Sequence, residues 1–242
     1  MPDGPALQLD VIEAYDRLGP GLAAIRAMRR SYCDAIDALI RASLPTSASS
    51  LLDVGSGDGA RAEAIARNAG IADVILLEPS AGMRSLMHTS REVWTSRIED
   101  LPVTGRRFDV ITCLWNVLGH VPSTENRLRA LRNMRSLLSP SGVLFADVQN
   151  RYNARSYGVL ATLGRWLHDR MAPSADNGDV TVRWASDAGE LITYGHVFTP
   201  REMADLVAEA GLKIVKQNFV DYRTGELCSS AFAGSMFFVL SR

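Results

Sequence analysis

Short apolar runs alternate with helix-like segments between residues 50 and 148. The runs are about four to six residues long and end in acidic, polar or glycine residues, which is typical of strands buried on both faces. The segments between them carry apolar residues at helical spacing. This alternation predicts consecutive β-α-β units, and therefore a parallel sheet that is covered by helices.

The N-terminal region has a different pattern. Residues 11–44 carry an apolar stripe at helical spacing, which is broken at the sequence Gly19-Pro20-Gly21. Residues 1–10 contain two prolines and a glycine, and this composition predicts a frayed end. We therefore expect a helical cap over residues 1–46.

The C-terminal region predicts one helix followed by two strands. Pro200 suits the first turn of a helix, and Gly211 suits its C-terminal end. Residues 212–221 and 235–240 are strand-like and can pair in antiparallel fashion. Such a terminal hairpin is absent from a standard dinucleotide-binding domain.

Residues 150–198 separate the alternating region from the C-terminal helix. A loop of this length without structure would be unusual, so elements of its own are expected. Residues 157–171 predict a helix, and residues 180–184 and 191–198 predict a small hairpin around a polar turn. Because the segment follows a strand of the parallel sheet, where ligands sit at the carboxyl edge, we expect it to be a lid over a ligand.

A glycine-rich turn follows the first strand of the alternating region, in the sequence LLDVGSGDG at residues 51–59. Gly55, Gly57 and Gly59 permit positive φ and let backbone N–H groups approach a ligand at the start of a helix. Asp53 precedes them at the end of the strand. The glycines also fit the GxGxxA form of a dinucleotide site, so alone they leave two ligand classes open.

Four later motifs distinguish between these classes. They are EPSAGM at residues 78–83, IEDLP at 98–102, FDVITC at 108–113 and LLSPSGVL at 137–144. Together with the DxGxGxG turn, they resemble in order and spacing the class I methyltransferases, which use S-adenosylmethionine.

The resemblance implies an α/β fold. The expected architecture is a Rossmann-like, doubly wound, seven-stranded sheet that is mostly parallel, with an antiparallel C-terminal strand, N-terminal helices and a lid insertion after strand five. Residues 47–149 and 199–242 would form the S-adenosylmethionine-binding domain, and residues 150–198 the inserted helix and hairpin of the lid.

The resemblance also implies the cofactor site. Glu78 ends the second strand, where a carboxylate accepts hydrogen bonds from ribose hydroxyls. Met83 and Ile98 correspond to adenine contacts, whereas Arg97 stands where many relatives have an acid and leaves the adenine N6 partner open. The residues expected to contact S-adenosylmethionine, or its product S-adenosylhomocysteine, are Asp53, Gly55, Ser56, Gly57, Gly59, Glu78, Pro79, Met83, Ile98, Glu99, Cys113, Leu114, Asn116 and Arg30.

No motif identifies a catalytic residue. Methyl transfer from a sulfonium is an in-line displacement that needs alignment and a dry site rather than a covalent nucleophile. The candidates for contact with the acceptor are His120, after the fourth strand, and Tyr194 and His196 in the lid. The last two alternate on one strand face and can point into one cavity.

Composition limits the function classes. The chain has 242 residues and a formal net charge of -1, which gives no broad attraction to nucleic acid. Its three cysteines, Cys33, Cys113 and Cys228, lack the spacing of a disulfide framework or a zinc site, so no metal is expected. We expect a cytoplasmic monomer or homodimer with no membrane anchor.

The predicted function is an enzyme that moves a methyl group from S-adenosylmethionine to an oxygen or nitrogen of a small-molecule acceptor. Three alternatives stay open from the sequence alone. They are a tRNA or rRNA methyltransferase, a non-catalytic S-adenosylmethionine-binding module, and an oxidoreductase that binds NAD.

Overall fold

A computed structural model of the protein describes residues 7–21, 26–186 and 189–242. Its strands are β1 (Leu7–Gln8), β2 (Ser50–Val54), β3 (Asp73–Leu77), β4 (Glu92–Trp94), β5 (Phe108–Cys113), β6 (Leu138–Val148), β7 (Asp179–Ser186), β8 (Gly189–His196), β9 (Lys213–Val220), β10 (Leu227–Cys228) and β11 (Ser235–Ser241). Its α-helices are α1 (Val11–Leu18), α2 (Arg30–Arg41), α3 (Ala60–Ala69), α4 (Ala81–Arg84), α5 (Thr124–Leu137), α6 (Ala154–Tyr157), α7 (Val159–Met171) and α8 (Pro200–Glu209).

The central sheet has eight strands in the order β10-β9-β11-β6-β5-β2-β3-β4. The pairs from β6 to β4 are all parallel, whereas β11 is antiparallel to both β6 and β9. The predicted Rossmann-like sheet and its antiparallel C-terminal strand are confirmed. The eighth strand is the two-residue β10 at the edge, which is too short for a periodicity to predict.

Helices cover both faces of this sheet. On one face α5 and α8 contribute Leu131, Met134 and Met203 to a core that contains Leu52, Ile111 and Phe238 of the strands. On the other face α2 and α3 contribute Tyr32, Ile36 and Ile65 to a second core around Leu51 and Val110. Alternate side chains of each buried strand thus enter opposite cores, which explains why the strands are apolar throughout.

A second, smaller sheet has the order β1-β8-β7. The predicted hairpin is present as β7 and β8, although residues 187 and 188 of its turn lie outside the described residues. The expected fraying of the N-terminal end is wrong at residues 7 and 8, because Leu7 pairs with Leu191 of β8. Residues 1–6 lie outside the described part of the chain. The pairing of Leu7 with a residue so distant in the sequence could not be predicted from a local pattern.

The N-terminal helices are broken at Gly19, as the sequence predicts. α1 ends there in a one-turn 3-10 helix, Gly19–Gly21, and α2 begins at Arg30. Residues 22–25 lie outside the described residues. In the inserted segment the predicted helix over 157–171 is present mainly as α7. Among the described residues, no helix is both long and apolar enough to cross a lipid bilayer.

A network of polar side chains joins β8 to the main domain. The Tyr194 hydroxyl donates to Asp179 Oδ1 at 2.7 Å and accepts from Arg127 Nη1 at 2.8 Å. His196 is fully buried, and its two ring nitrogens lie 2.7 Å from Asp179 and 2.8 Å from Glu202 of α8. The network therefore fixes the hairpin against α5 and α8.

Replacing Tyr194 by phenylalanine should destabilise the fold by about 1–3 kcal/mol, because the buried Arg127 guanidinium loses a hydrogen-bond partner. Urea denaturation measures the change. Tyr157→Phe is the matched control, since the contact of Tyr157 with Arg165 is through its ring, at 4.0 Å. Equal unfolding free energies of the two variants would show that the hydrogen bonds of the Tyr194 hydroxyl do not stabilise the fold.

Candidate active site

A cavity of about 500 Å³ lies at the carboxyl ends of β2, β3 and β5. The glycine-rich turn and the turn after β3 contribute to its lining. α1, α2 and the 3-10 helix Val117–His120 contribute further residues. A volume of this size suits one small ligand together with part of a second.

The glycine-rich turn has the backbone conformation that its sequence predicts. Gly55, Gly57 and Gly59 have φ values of 73°, 60° and 75°, all in the left-handed region that favours glycine. A Cβ atom on Gly55 would lie 2.4 Å from Val117 Cγ2. Glycine at position 55 thus allows the turn to pack closely against Val117.

Glu78 is a buried carboxylate directly after β3. Its Oε2 accepts from the N–H of Gly57 at 2.8 Å, and its Oε1 accepts from the N–H of Ser80 at 2.8 Å. Burial raises its pKa, and the two N–H groups act in the opposite direction. A carboxylate has about four lone-pair positions, so each oxygen can still accept a hydroxyl group from a ligand.

Asp53 is a second buried carboxylate, in β2. Its Oδ1 accepts from the Thr112 hydroxyl of β5 at 2.5 Å, while the Ser56 hydroxyl donates to the Asp53 carbonyl at 2.9 Å. Burial raises the pKa of Asp53 to about 6, and the hydrogen bond from Thr112 opposes this shift. Among the described residues, no guanidinium group is bound to Asp53, so much of its negative charge is left to act on the cavity.

Asp147 of β6 is a third buried carboxylate, which no motif identifies. It accepts from the Tyr32 hydroxyl of α2 at 2.5 Å and from the N–H of Trp115 at 2.5 Å. Burial raises its pKa. Trp115 and Asn116 have φ values of 63° and 61°, a strained conformation for non-glycine residues. Asp147 thus holds the strained turn after β5.

Carboxylates outnumber guanidinium groups in the lining of the cavity. Two arginines of the lining are held by aspartates, since Arg26 contacts Asp58 at 2.5 Å and Arg61 contacts Asp37 at 2.7 Å. The lining contains the six acids Asp34, Asp37, Asp53, Asp58, Glu78 and Glu99, and the four arginines Arg26, Arg30, Arg61 and Arg97. This surplus favours a ligand that carries positive charge.

α1 is attached to the turn after β3. Asp16 accepts from the Ser80 hydroxyl at 2.7 Å and from the N–H of Gly82 at 2.8 Å, and these bonds lower its pKa. The attachment places Tyr15 in the cavity, where its hydroxyl lies 3.2 Å from His120 Nε2. No motif points to Asp16 or Tyr15. The weak signal that could have found them is the helical spacing of Val11, Ile12 and Tyr15.

The structure brings most of the expected cofactor residues to the cavity. Arg30 lines it from α2, although its side chain is 84% exposed and lies 3.7 Å from Asp34. Of the expected residues, the cavity lining includes Asp53, Gly55, Ser56, Gly57, Glu78, Pro79, Met83, Ile98, Glu99, Leu114, Arg30 and the acceptor candidate His120.

Five expected residues lie outside this lining. Gly59 precedes α3, and Cys113 is buried at the end of β5, where burial raises the pKa of its thiol. Asn116 instead accepts from the N–H of Gln149 at 2.9 Å. Tyr194 and His196 share Asp179 in the network described above, so the structure does not bring them into the cavity. Burial and Asp179 raise the pKa of Tyr194 to about 12.

Comparison with known proteins identifies the family of this chain. The profile of a methyltransferase domain covers residues 24–217 of this chain. The chain belongs to the methyltransferase-domain family. This confirms the resemblance to class I methyltransferases that the motifs indicate, and with it S-adenosylmethionine as the cofactor of the family.

Individual relatives agree with this assignment. The ubiquinone biosynthesis O-methyltransferase of Coxiella burnetii is 32% identical over 112 residues, which are 44% of this chain and 46% of that protein. The match thus spans about half the length of this curated relative.

Solved structures show the same fold at lower identity. An S-adenosylmethionine-dependent methyltransferase from Clostridium acetobutylicum has a TM-score of 0.61 at 14% identity, covering 95% of this chain and 96% of the other. An amino pentose methyltransferase from Micromonospora echinaspora, with S-adenosylmethionine bound, has a TM-score of 0.57 at 18% identity, covering 99% and 100%.

The raised pKa of Asp53 makes a prediction about stability. Between about pH 4 and pH 6 the folded protein binds a proton at Asp53 that the unfolded chain releases, so the unfolding free energy falls as pH rises through this window. Asp53→Asn should therefore stabilise the protein by about 3 kcal/mol at pH 7, and much less at pH 4.

Thermal or urea unfolding at both pH values measures this effect. Asp176→Asn is the control, because it removes an exposed carboxylate that does not line the cavity. A stabilisation by Asp53→Asn that is equal at both pH values would contradict the assignment of the raised pKa to Asp53.

Proposed function

We propose that the protein transfers a methyl group from S-adenosylmethionine to an oxygen or nitrogen atom of a small molecule. The observation that carries this proposal is Glu78, whose buried carboxylate shares one cavity with the glycine-rich turn. The antiparallel position of β11 supports it against an NAD-binding domain.

The residues of the cavity fit the cofactor. Glu78 would accept hydrogen bonds from the ribose hydroxyls, and the N–H groups of the glycine-rich turn would face the amino acid end. Met83 and Ile98 are almost fully buried apolar side chains that would contact the adenine, with Glu99 beside them. The surplus of carboxylates would favour the sulfonium and ammonium charges of the bound cofactor.

The reaction needs alignment and exclusion of water. The bound cofactor would supply an electrophilic methyl group, and the chain would hold the acceptor atom in line with it. α1, with Val11, Ile12 and Tyr15, forms an apolar wall that would keep water out of this site. A dry site favours a step in which positive charge is dispersed.

The names of the relatives leave both acceptor atoms open. The curated relative is an O-methyltransferase of ubiquinone biosynthesis, whereas the amino pentose methyltransferase acts on a sugar. Both have small-molecule acceptors, which supports the same class of acceptor here. The formal net charge of -1 disfavours tRNA or rRNA.

The finer expectations belong to the same proposal. Residues 150–198 would act as the lid, together with the cap over residues 1–46. Cys33, Cys113 and Cys228 are free, which supports a reducing compartment such as the cytoplasm. We propose a monomer or homodimer, which analytical ultracentrifugation would distinguish.

Calorimetric titration with S-adenosylmethionine, S-adenosylhomocysteine and NAD tests the cofactor assignment. Glu78→Ala should weaken the binding of S-adenosylhomocysteine about tenfold to hundredfold, because two charge-assisted hydrogen bonds to the ribose are lost. Glu125→Ala, which removes an exposed glutamate at the start of α5, should leave the affinity unchanged. Binding of NAD alone by the wild-type protein would refute the proposal.

A further inference from the structure

Several of the side chains that line the cavity are aliphatic. Val11 and Ile12 of α1 belong to them, together with Val117, the first residue of the 3-10 helix, and Val121, which follows that helix. Tyr15 lies on the same helix as Val11 and Ile12, and His120 precedes Val121, so we call these six lining residues the acceptor half of the site. The glycine-rich turn and Glu78, which would hold the proposed cofactor, are the cofactor half. We infer that the acceptor half is the place where an acceptor can reach the methyl group.

Tyr15 and His120 form a defined pair. The Tyr15 hydroxyl lies 3.2 Å from His120 Nε2, and the two rings meet edge to face with centroids 5.6 Å apart. On its other side, His120 Nδ1 lies 3.4 Å from the carbonyl oxygen of Tyr194. A carbonyl oxygen only accepts hydrogen bonds, so Nδ1 carries the proton. Nε2 then has a free electron pair, which accepts the Tyr15 hydroxyl.

The surroundings keep His120 neutral. From α1 it is faced by the Tyr15 hydroxyl, and from β8 by the Tyr194 carbonyl. No carboxylate is hydrogen-bonded to it among the described residues, and burial lowers its pKa. Burial raises the pKa of the Tyr15 phenol, and the negative charge of the nearby Glu78 raises it further. At neutral pH the pair is therefore an uncharged imidazole and an intact phenol.

A second histidine of the same chain provides a contrast. Both ring nitrogens of His196 lie within 2.8 Å of carboxylate oxygens, and its side chain is fully buried. Those contacts leave no ring atom for a ligand. At His120 the contact of Nε2 is an uncharged hydroxyl on α1, in an open cavity, which a ligand hydroxyl can replace.

We propose that His120 Nε2 accepts the proton from a hydroxyl group of an uncharged, largely apolar acceptor, with the Tyr15 hydroxyl hydrogen-bonded to the acceptor oxygen. This inference rests on the proposed function. The acceptor oxygen forms a bond to the methyl carbon as the bond between that carbon and sulfur breaks, and the electron pair of the broken bond stays on sulfur. The hydroxyl proton goes to Nε2, which becomes an imidazolium and later releases the proton to solvent.

The neutral pair formed by Tyr15 and His120 favours a hydroxyl acceptor over a charged one. Neither side chain carries a charge that would compensate an ammonium or a carboxylate group, and Arg97 of the lining is already paired with Asp10 at 2.7 Å. A phenol or alcohol is uncharged before the reaction, and its hydroxyl can take the place of Tyr15 on Nε2.

The first test is the tautomer of His120, measured by ¹⁵N NMR on the full chain without cofactor. We expect a neutral ring with the proton on Nδ1 at pH 7, and an Nε2 resonance that shifts in Tyr15→Phe. His88→Gln, which alters an exposed histidine, is the control and should leave this resonance unchanged. A proton on Nε2, or an imidazolium at pH 7, would overturn the proposal.

The second test uses catechol as a hydroxyl probe, with S-adenosylhomocysteine present. Catechol should shift the Nε2 resonance of His120, whereas benzylamine and benzoate should not. No shift with catechol, or a stronger shift with either charged probe, would refute the assignment of a hydroxyl acceptor.

The third test separates this inference from the proposed function. With a hydroxyl acceptor, His120→Gln should lower kcat about 100-fold or more, with the affinity for S-adenosylmethionine unchanged in calorimetry. His88→Gln should keep the activity of the wild type. If the wild-type protein binds no S-adenosylmethionine, the proposed function fails. If it binds and methylates while His120→Gln retains full kcat, only the role of His120 fails.

Discussion

The burial of carboxylates at the carboxyl edge of the parallel sheet is the constraint on which the site depends. Asp53, Glu78 and Asp147 each lose water there, and burial raises the pKa of all three. Their hydrogen bonds come from hydroxyls and backbone N–H groups rather than from guanidinium groups. Neutral donors leave the negative charge only partly compensated, so the cavity keeps a field that favours a cationic ligand.

The same constraint shapes the turn after β5. Asp147 accepts from the N–H of Trp115 and thus holds two successive left-handed residues, each of which costs on the order of 1–3 kcal/mol. This turn leads directly into the 3-10 helix that presents Val117 to Gly55 and His120 to Tyr15. The strain is therefore stored in the turn that positions both Val117 and His120 in the cavity lining.

Short sequence patterns were sufficient to predict those elements whose conformation depends on neighbouring residues in the chain. The strands of the parallel sheet are uniformly apolar, and the glycine-rich turn needs positive φ at fixed positions, so both are visible in short windows of sequence. Glu78 is predictable because it follows directly on a buried strand. The helix-hairpin insertion is predictable because a long structureless loop would be unusual.

The parts that could not be predicted depend on contacts between distant segments. β1 forms because Leu7 pairs with the edge of β8. Tyr15 lies in the cavity because the neighbouring Asp16 binds the turn after β3. Neither contact leaves a period in the sequence. For Tyr194 and His196 the prediction was wrong for a related reason. The alternation of side chains along β8 correctly places both residues on one face, but it does not reveal that both bind Asp179 instead of entering the cavity.

This difference explains why the motifs identify a cofactor but not an acceptor. The cofactor half is built from residues within a few positions of strand ends, whereas the acceptor half needs α1, the turn after β5 and β8 at once. Asp16 and Glu78 bind the same turn, the first through Ser80 and Gly82 and the second through Ser80. α1, which carries Tyr15, is thus positioned by the same turn after β3 whose Glu78 would bind the ribose. A displacement of this turn would therefore alter both the cofactor half and the acceptor half of the site.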